Sequence, residues 1–239
     1  IPLLNEEENI DLLAGQIIQA LDPLKLEYEV IWINDGSTDN SKAILDNLAA
    51  NNVIMKVVHF KKNFGQTAAI MAGINFSSGD ILIPMDADLQ NDPADIPLLL
   101  EKLKEGYDVC SGWRRHRKDN IKRKLPSKVA NSMISIISGV KLHDYGCTLK
   151  AYKRDVIEGI KLYGEMHRFI PIYATWEGAR VTELEVRHHP RKFGKSKYGL
   201  GRTTKVLLDL LVVKFFSTYF QKPIYLAGTF ALVCLLISA

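Results

Sequence analysis

Two carboxylates one residue apart, Asp86 and Asp88, close the short apolar run Ile81-Leu82-Ile83-Pro84-Met85. The run is too short for a helix and reads as a buried strand. Side chains alternate along extended backbone, so the two acids share a side and Ala87 points away. Open α/β sheets bind ligands at this carboxyl edge. Neighbouring carboxylates repel each other. A divalent cation relieves that repulsion and can neutralise a diphosphate as well. A bare Asp-x-Asp also occurs as a solvated turn, so its weight depends on the rest of the chain.

The elements that must position these acids follow a regular rhythm. Residues 1–4 read as the end of a strand. Asn5 caps the next helix, with Glu8 completing a capping box, and Ile10, Leu13, Ile17, Ile18 and Leu21 keep helical spacing. Strands at 29–34 and 55–60 alternate with helices at 41–50 and 66–76; the strand ending at the acids, a helix at 95–104 and a strand at 107–112 follow. This β-α-β order predicts an α/β fold: a mostly parallel, Rossmann-like sheet with helices on both faces. Polar residues gather after successive strands: Asn5 and Glu6, Asp35, Asn63, Asp86 and Asp88, then Arg114. Together they outline a nucleotide-sized site on one sheet edge.

The second half loses this rhythm. Residues 114–128 read as a basic loop, 129–137 and 166–177 as helices, 181–187 as a strand and 188–202 as a basic, Gly-punctuated loop. Residues 203–220 are apolar around the isolated charges Lys205, Asp209 and Lys214, which suits a helix lying in a membrane interface. The uncharged run 224–239 spans about 24 Å as a helix, short of the ~30 Å hydrocarbon core, and reads as the start of a transmembrane helix. The expected domains are thus a catalytic unit at 1–200, an interface helix at 201–222 and a membrane segment from 223. Basic segments ahead of that segment place the catalytic unit on the cytoplasmic side of the plasma membrane.

Composition sets outer bounds. The 239 residues carry a net charge of only +4, so no global polycation argues for nucleic acid. Three scattered cysteines make neither a disulfide framework nor a zinc site. Gly194-Lys195-Ser196 imitates a phosphate-binding loop, but His189 stands where its first glycine belongs. No G-x-G-x-x-G follows a strand, which removes the dinucleotide fingerprint.

Several ordered motifs then coincide: Pro2-Leu3-Leu4-Asn5-Glu6-Glu7-Glu8-Asn9, Asn34-Asp35-Gly36-Ser37-Thr38-Asp39, Asn63-Phe64-Gly65, Asp86-Ala87-Asp88-Leu89-Gln90, Ser111-Gly112-Trp113-Arg114, Asp144-Tyr145-Gly146-Cys147 and the 191–198 segment. The chain resembles the inverting, membrane-attached glycosyltransferases of the GT-A fold, and among them the polyprenyl-phosphate glycosyltransferases. The resemblance implies that Pro2, Leu4, Glu6, Asp35 and Asn63 line a nucleotide pocket, with Asp86 at the nucleotide and metal shell. It implies Mg²⁺ or Mn²⁺ on Asp88, with Asp86 and Gln90 beside it. Arg114, Lys124 and Lys128 would receive the acceptor phosphate. Arg191, Ser196 and Lys197 would close over the donor diphosphate. Leu4 stands where mannose synthases often carry Tyr, which favours a UDP-sugar, UDP-glucose first, over GDP-mannose.

The expected reaction moves a hexose from the UDP-sugar to a polyprenyl (undecaprenyl) phosphate. That nucleophile is already ionised and needs little help from a base; Asp144 is the candidate for orienting or base duty, or simply caps the Gly146 turn. A processive polysaccharide synthase is the first rival, but its Gln-x-x-Arg-Trp string is missing. A non-catalytic nucleotide-sugar module is the second. An interfacial helix also makes a membrane homo-oligomer plausible.

Overall fold

The computed structural model describes residues 1–115, 121–194, 208–210, 212–215 and 223–238, with backbone alone at 121–129, 223, 226 and 233. The first half follows the expected alternation: β1 (Pro2–Leu3), α1 (Ile10–Leu21), β2 (Val30–Asn34), α2 (Ser41–Asn51), β3 (Met55–His59), α3 (Gln66–Phe76) and β4 (Ile81–Leu82). Strands β1, β2 and β3 form a parallel sheet in that order, with Ile33 opposite Pro2 and Val58. Every residue of β2 is buried, as a strand covered on both faces demands. Helix α1 turns Ile10, Leu13, Ala14 and Ile17 inward at helical spacing, into the core that holds Trp32.

Asn5 does not cap α1. The helix starts at Ile10 with Asn9 as its flanking residue, while Asn5 sits in the left-handed region at φ 49°. Its side chain serves another turn: Asn5 Oδ1 accepts the Thr38 N–H at 2.7 Å, and the Asn5 N–H donates to Ser37 Oγ at 2.9 Å. A short polar side chain that can bond a neighbouring loop is what makes αL tolerable outside glycine.

The second half comprises α4 (Ile96–Lys104), β5 (Val109–Trp113), α5 (Ile121–Ser138), β6 (Lys150–Lys153), α6 (Ile170–Trp176) and β7 (Val181–Glu185). Its sheet is mixed, in the order β4-β6-β5-β7, with β6 antiparallel to both neighbours. This departs from a uniformly parallel sheet. The strand leading to the two acids is also shorter and less buried than the run 81–85 suggests: β4 is two residues long, hydrogen-bonded to β6 in this sheet, and its Ile81 is 41% exposed. Part of the supposed basic loop is helical, because α5 begins at Ile121.

Residues 208–210 and 212–215 are helical. Leu210 and Val213 are buried in the core formed by Met166, Phe169 and Ile170, worth about 1.5–3 kcal/mol each against leaving them in water. Helix α7 (Pro223–Ser238) is apolar throughout and mostly exposed. Among the described residues no helix is long and apolar enough to cross a membrane. Cys110, Cys147 and Cys234 are free. An apolar cavity of about 430 Å³ lies at the amino-terminal ends of β2 and β4, bounded by Leu21, Ile31, Ile70 and Leu82. It sits at the wrong end of the strands for the acids.

Candidate active site

A cavity of about 300 Å³ opens where the loops after β1, β2, β3 and β4 converge. Pro2, Leu4, Glu6, Asp35 and Asn63 line it, and so do Asp86, Asp88 and Arg191. Eight side chains expected at the site, Pro2, Leu4 and Arg191 from the family resemblance and the others from the strand ends as well, therefore meet in space.

The loops that carry them are tied by backbone donors. The Asp35 carboxylate accepts the N–H groups of Phe64 and Gly65 at 2.7 and 2.9 Å, bracing the turn that presents Asn63. Gly36 fits this contact uniquely. Its φ is +73°, and a Cβ there would stand 2.4 Å from the Lys62 backbone. The Glu6 N–H donates to Ser41 Oγ at 3.1 Å, and Asn9 Nδ2 donates to Glu6 Oε2 at 2.5 Å.

The two acids are held differently. Asp86 takes neutral donors, Gln66 Nε2 and Thr148 Oγ1, both at 2.7 Å. Asp88 takes a cation: Arg191 Nη2 lies 2.6 Å from its Oδ2, and Arg191 Nη1 lies 3.4 Å from Glu6. Burial, then the charge of Asp86, pushes the Asp88 carboxyl up to about 6, although Arg191 opposes the rise. The site is therefore electrostatically primed for a further positive charge.

Hard oxygen donors fit Mg²⁺ or Mn²⁺, which take one or two carboxylates and complete their shells with phosphate oxygens and water. No group of three His, Cys, Asp or Glu among the described residues could cage a metal alone. This donor set fits a cation that arrives with a diphosphate. Asp88 and Asp86 would hold it. Gln90 does not face the cavity wall: its Nε2 reaches the His189 carbonyl at 3.4 Å.

The segment bearing Arg191 is docked, not loose. Asn91 and His188 form an isolated antiparallel bridge, and the His189 N–H donates to the Gln90 carbonyl at 2.9 Å. Arg187 pairs with Asp95 at 2.8 Å, and His189 meets Asp92 at 3.1 Å. Ser196 and Lys197 lie outside the described residues, as do the side chains of Lys124 and Lys128, which α5 carries.

Arg114 is drawn away from the cavity. Its Nε and Nη2 bond Asp144 at 2.7 and 3.0 Å, a bidentate pair. Burial works against the Arg114 charge, but Asp144 outweighs it and raises the pKa. Asp144 also accepts the Gly146 N–H at 3.1 Å, so both of its oxygens are engaged, which suits orientation and turn-capping. Beneath this turn Lys150 is buried, with its ammonium on the Tyr145 and Cys147 carbonyls; burial lowers it to about 8.

Three residues escape a linear reading. Gln66 and Thr148 hold Asp86 from 20 and 62 positions away. Glu165 lines the cavity from a segment nearly eighty residues beyond Asp86 in sequence, and no local motif marks it.

The family described as "Glycosyl transferase family 2" matches residues 1–161. The chain belongs to this family of glycosyltransferases. It is 43% identical, over 97% of its length and 70% of the relative's, to the dodecaprenyl-phosphate galacturonate synthase of Rhizobium johnstonii. It is 42% identical to the undecaprenyl-phosphate 4-deoxy-4-formamido-L-arabinose transferase of Proteus mirabilis, over 88% of this chain and 65% of that one. Among solved structures, the glucosyl-3-phosphoglycerate synthase of Mycobacterium tuberculosis with Mn²⁺ and UDP-glucose superposes at a TM-score of 0.66, with 19% identity, over 89% of this chain and 76% of that one. The fold is the Rossmann-like GT-A type.

Proposed function

We propose that this glycosyltransferase moves a sugar from a nucleotide sugar, a UDP-sugar, to the phosphate of a polyprenyl lipid. One observation carries the reading: the loops after the four successive strands β1, β2, β3 and β4 bring Glu6, Asp35, Asn63 and the Asp86–Asp88 pair around one cavity with Arg191. Two relatives named for sugars on prenyl phosphates support the acceptor class. Neither is named for glucose. Their sugars are galacturonate and a formamido-arabinose, so the glucose expected from sequence has no support beyond the UDP preference.

Chemically, the anomeric carbon loses its bond to the diphosphate and gains one to a phosphate oxygen of the lipid, with inversion. A divalent cation, when bound, supplies Lewis-acid stabilisation of the leaving diphosphate. Asp88 and Asp86 would hold that cation. Arg191, already at the cavity, moves its guanidinium from carboxylate to phosphate oxygens as the donor enters. Asp35 and Glu6 orient the nucleoside. Lys197 and Ser196 would complete the closure over the diphosphate. Arg114, held charged by Asp144, offers the acceptor phosphate a fixed cation, with Lys124 and Lys128 further along the same basic segment. The acceptor is ionised at pH 7, so no strong base is needed.

The lipid tail stays in the bilayer, because removing it costs about 0.8 kcal/mol per CH₂. The catalytic unit accordingly works at the cytoplasmic face of the plasma membrane, with the exposed Leu208, Val212 and Phe215 towards the interface and α7 entering the hydrocarbon. The test is transfer of label from UDP-sugars, galacturonate and glucose among them, into undecaprenyl phosphate with Mn²⁺ or Mg²⁺. Label in the lipid fraction supports the reading. Tight UDP binding with no labelled lipid from any sugar would sink it.

A further inference from the structure

Asp209 is the lone acid of the apolar segment 203–220, and the transfer chemistry leaves it without a task. Its Oδ2 accepts the Glu165 N–H at 2.8 Å. The same carboxylate stands 2.8–2.9 Å from where a Cβ on Gly164 would lie. Gly164 has φ +53°, so the turn is shaped to seat this one carboxylate and no side chain of its own.

From that turn, contacts run into the donor cavity by two routes. Glu165 lines the cavity directly. The Thr67 hydroxyl donates to the Gly164 carbonyl and lies 2.7 Å from His167 Nδ1. Thr67 follows Gln66, whose amide holds Asp86 at 2.7 Å. On the other side, Asp209 belongs to a helical stretch with two apolar faces. Leu210 and Val213 are buried, whereas Leu208, Val212 and Phe215, at i, i+4 and i+7, remain 62%, 39% and 38% exposed. Asp209 thus links an exposed apolar face with a turn at the donor cavity.

We propose that Asp209 is a positioning residue: it fastens the lipid-facing helix to the Gly164–Glu165 turn and thereby sets Glu165 and, through Thr67 and Gln66, Asp86. The inference rests on the lipid-phosphate reading above. Small displacements of positioning groups are expensive in rate, which gives one backbone hydrogen bond kinetic leverage.

The experiment compares Asp209→Ala with Asp209→Asn in the full chain, reconstituted in phospholipid vesicles with undecaprenyl phosphate. Asparagine keeps an oxygen that can accept the Glu165 N–H; alanine does not. Asp209→Ala is expected to lower kcat about tenfold. UDP affinity by calorimetry falls with it, because Glu165 and Asp86 line the donor cavity, and Asp209→Asn recovers most of both. Amide exchange supplies a readout independent of turnover: the Glu165 N–H exchanges faster in Asp209→Ala and at the wild-type rate in Asp209→Asn. Wild-type kcat in Asp209→Ala overturns the proposal. So does an equal loss in both variants that follows the folded fraction in a thermal melt. If no sugar enters lipid even with the wild-type chain, the acceptor reading fails. The exchange data then still decide the link, an unchanged Glu165 amide overturning it.

Discussion

The two halves of this molecule hold charge at a sheet edge by different means. In the first, Asp35 and Asp86 rest on neutral donors, the Phe64 and Gly65 N–H groups and the Gln66 and Thr148 side chains, while Glu6 and Asp88 share Arg191. In the second, Arg114 meets Asp144 in a covered ion pair, and Lys150 is buried against carbonyls. The first arrangement leaves acids ready for an incoming cation. The second has already committed Asp144 to holding Arg114 still for an anion. A donor half that awaits positive charge and an acceptor half that displays it suit two anionic substrates that must be held side by side.

Substitutions can break this contrast. The largest effect belongs to Asp88→Asn, which should lower transfer about a thousandfold by weakening charge stabilisation on the leaving diphosphate. It should also raise the melting temperature at pH 7. The Asp88 carboxyl has its pKa raised from 3.8 to about 6. A folded-state value above the unfolded one means that the ionised form weakens the fold above pH 6 and that this penalty fades towards 3.8. The gain in stability should therefore vanish over that window, and a melt series against pH checks it. A gain that is equal at both ends would contradict the electrostatic origin.

Next comes Arg114→Ala, which strands a buried Asp144 and should cost about 3–5 kcal/mol in chemical denaturation. Adding Asp144→Ala to it should restore part of that loss. Simple additivity of the two would show that the pair is not the organising contact of the acceptor half. Asp35→Ala removes an acceptor from two N–H groups; about 1–3 kcal/mol and a weaker UDP affinity are expected, with acceptor KM untouched. The smallest effect is His189→Ala. Its pairing with Asp92 is half-exposed and worth about 0.2–1 kcal/mol, so only donor KM should move, and modestly.

The same contrast decides what could be read from the sequence. In the first half, strand, turn and helix follow one another within a few residues, so periodicity and turn chemistry place Glu6, Asp35, Asn63 and Asp86 at one edge. Asn5 misleads, because its capping pattern is genuine while its partner is Thr38, 33 residues on. Within the second half, and between it and the first, the decisive contacts join Arg114 to Asp144 across 30 positions and Thr67 to His167 across 100. No window of local sequence contains both partners. The antiparallel insertion of β6 between β4 and β5 has the same cause, since strand order is a tertiary fact.

Arg191 leaves a last consequence. Because its guanidinium already balances Glu6 and Asp88, donor capture exchanges one internal counter-ion for another and does not fill a bare acidic hole. Association should then depend weakly on ionic strength, and a preparation stripped with chelator should keep its cavity intact, with the protein's own side chain standing guard until substrate relieves it.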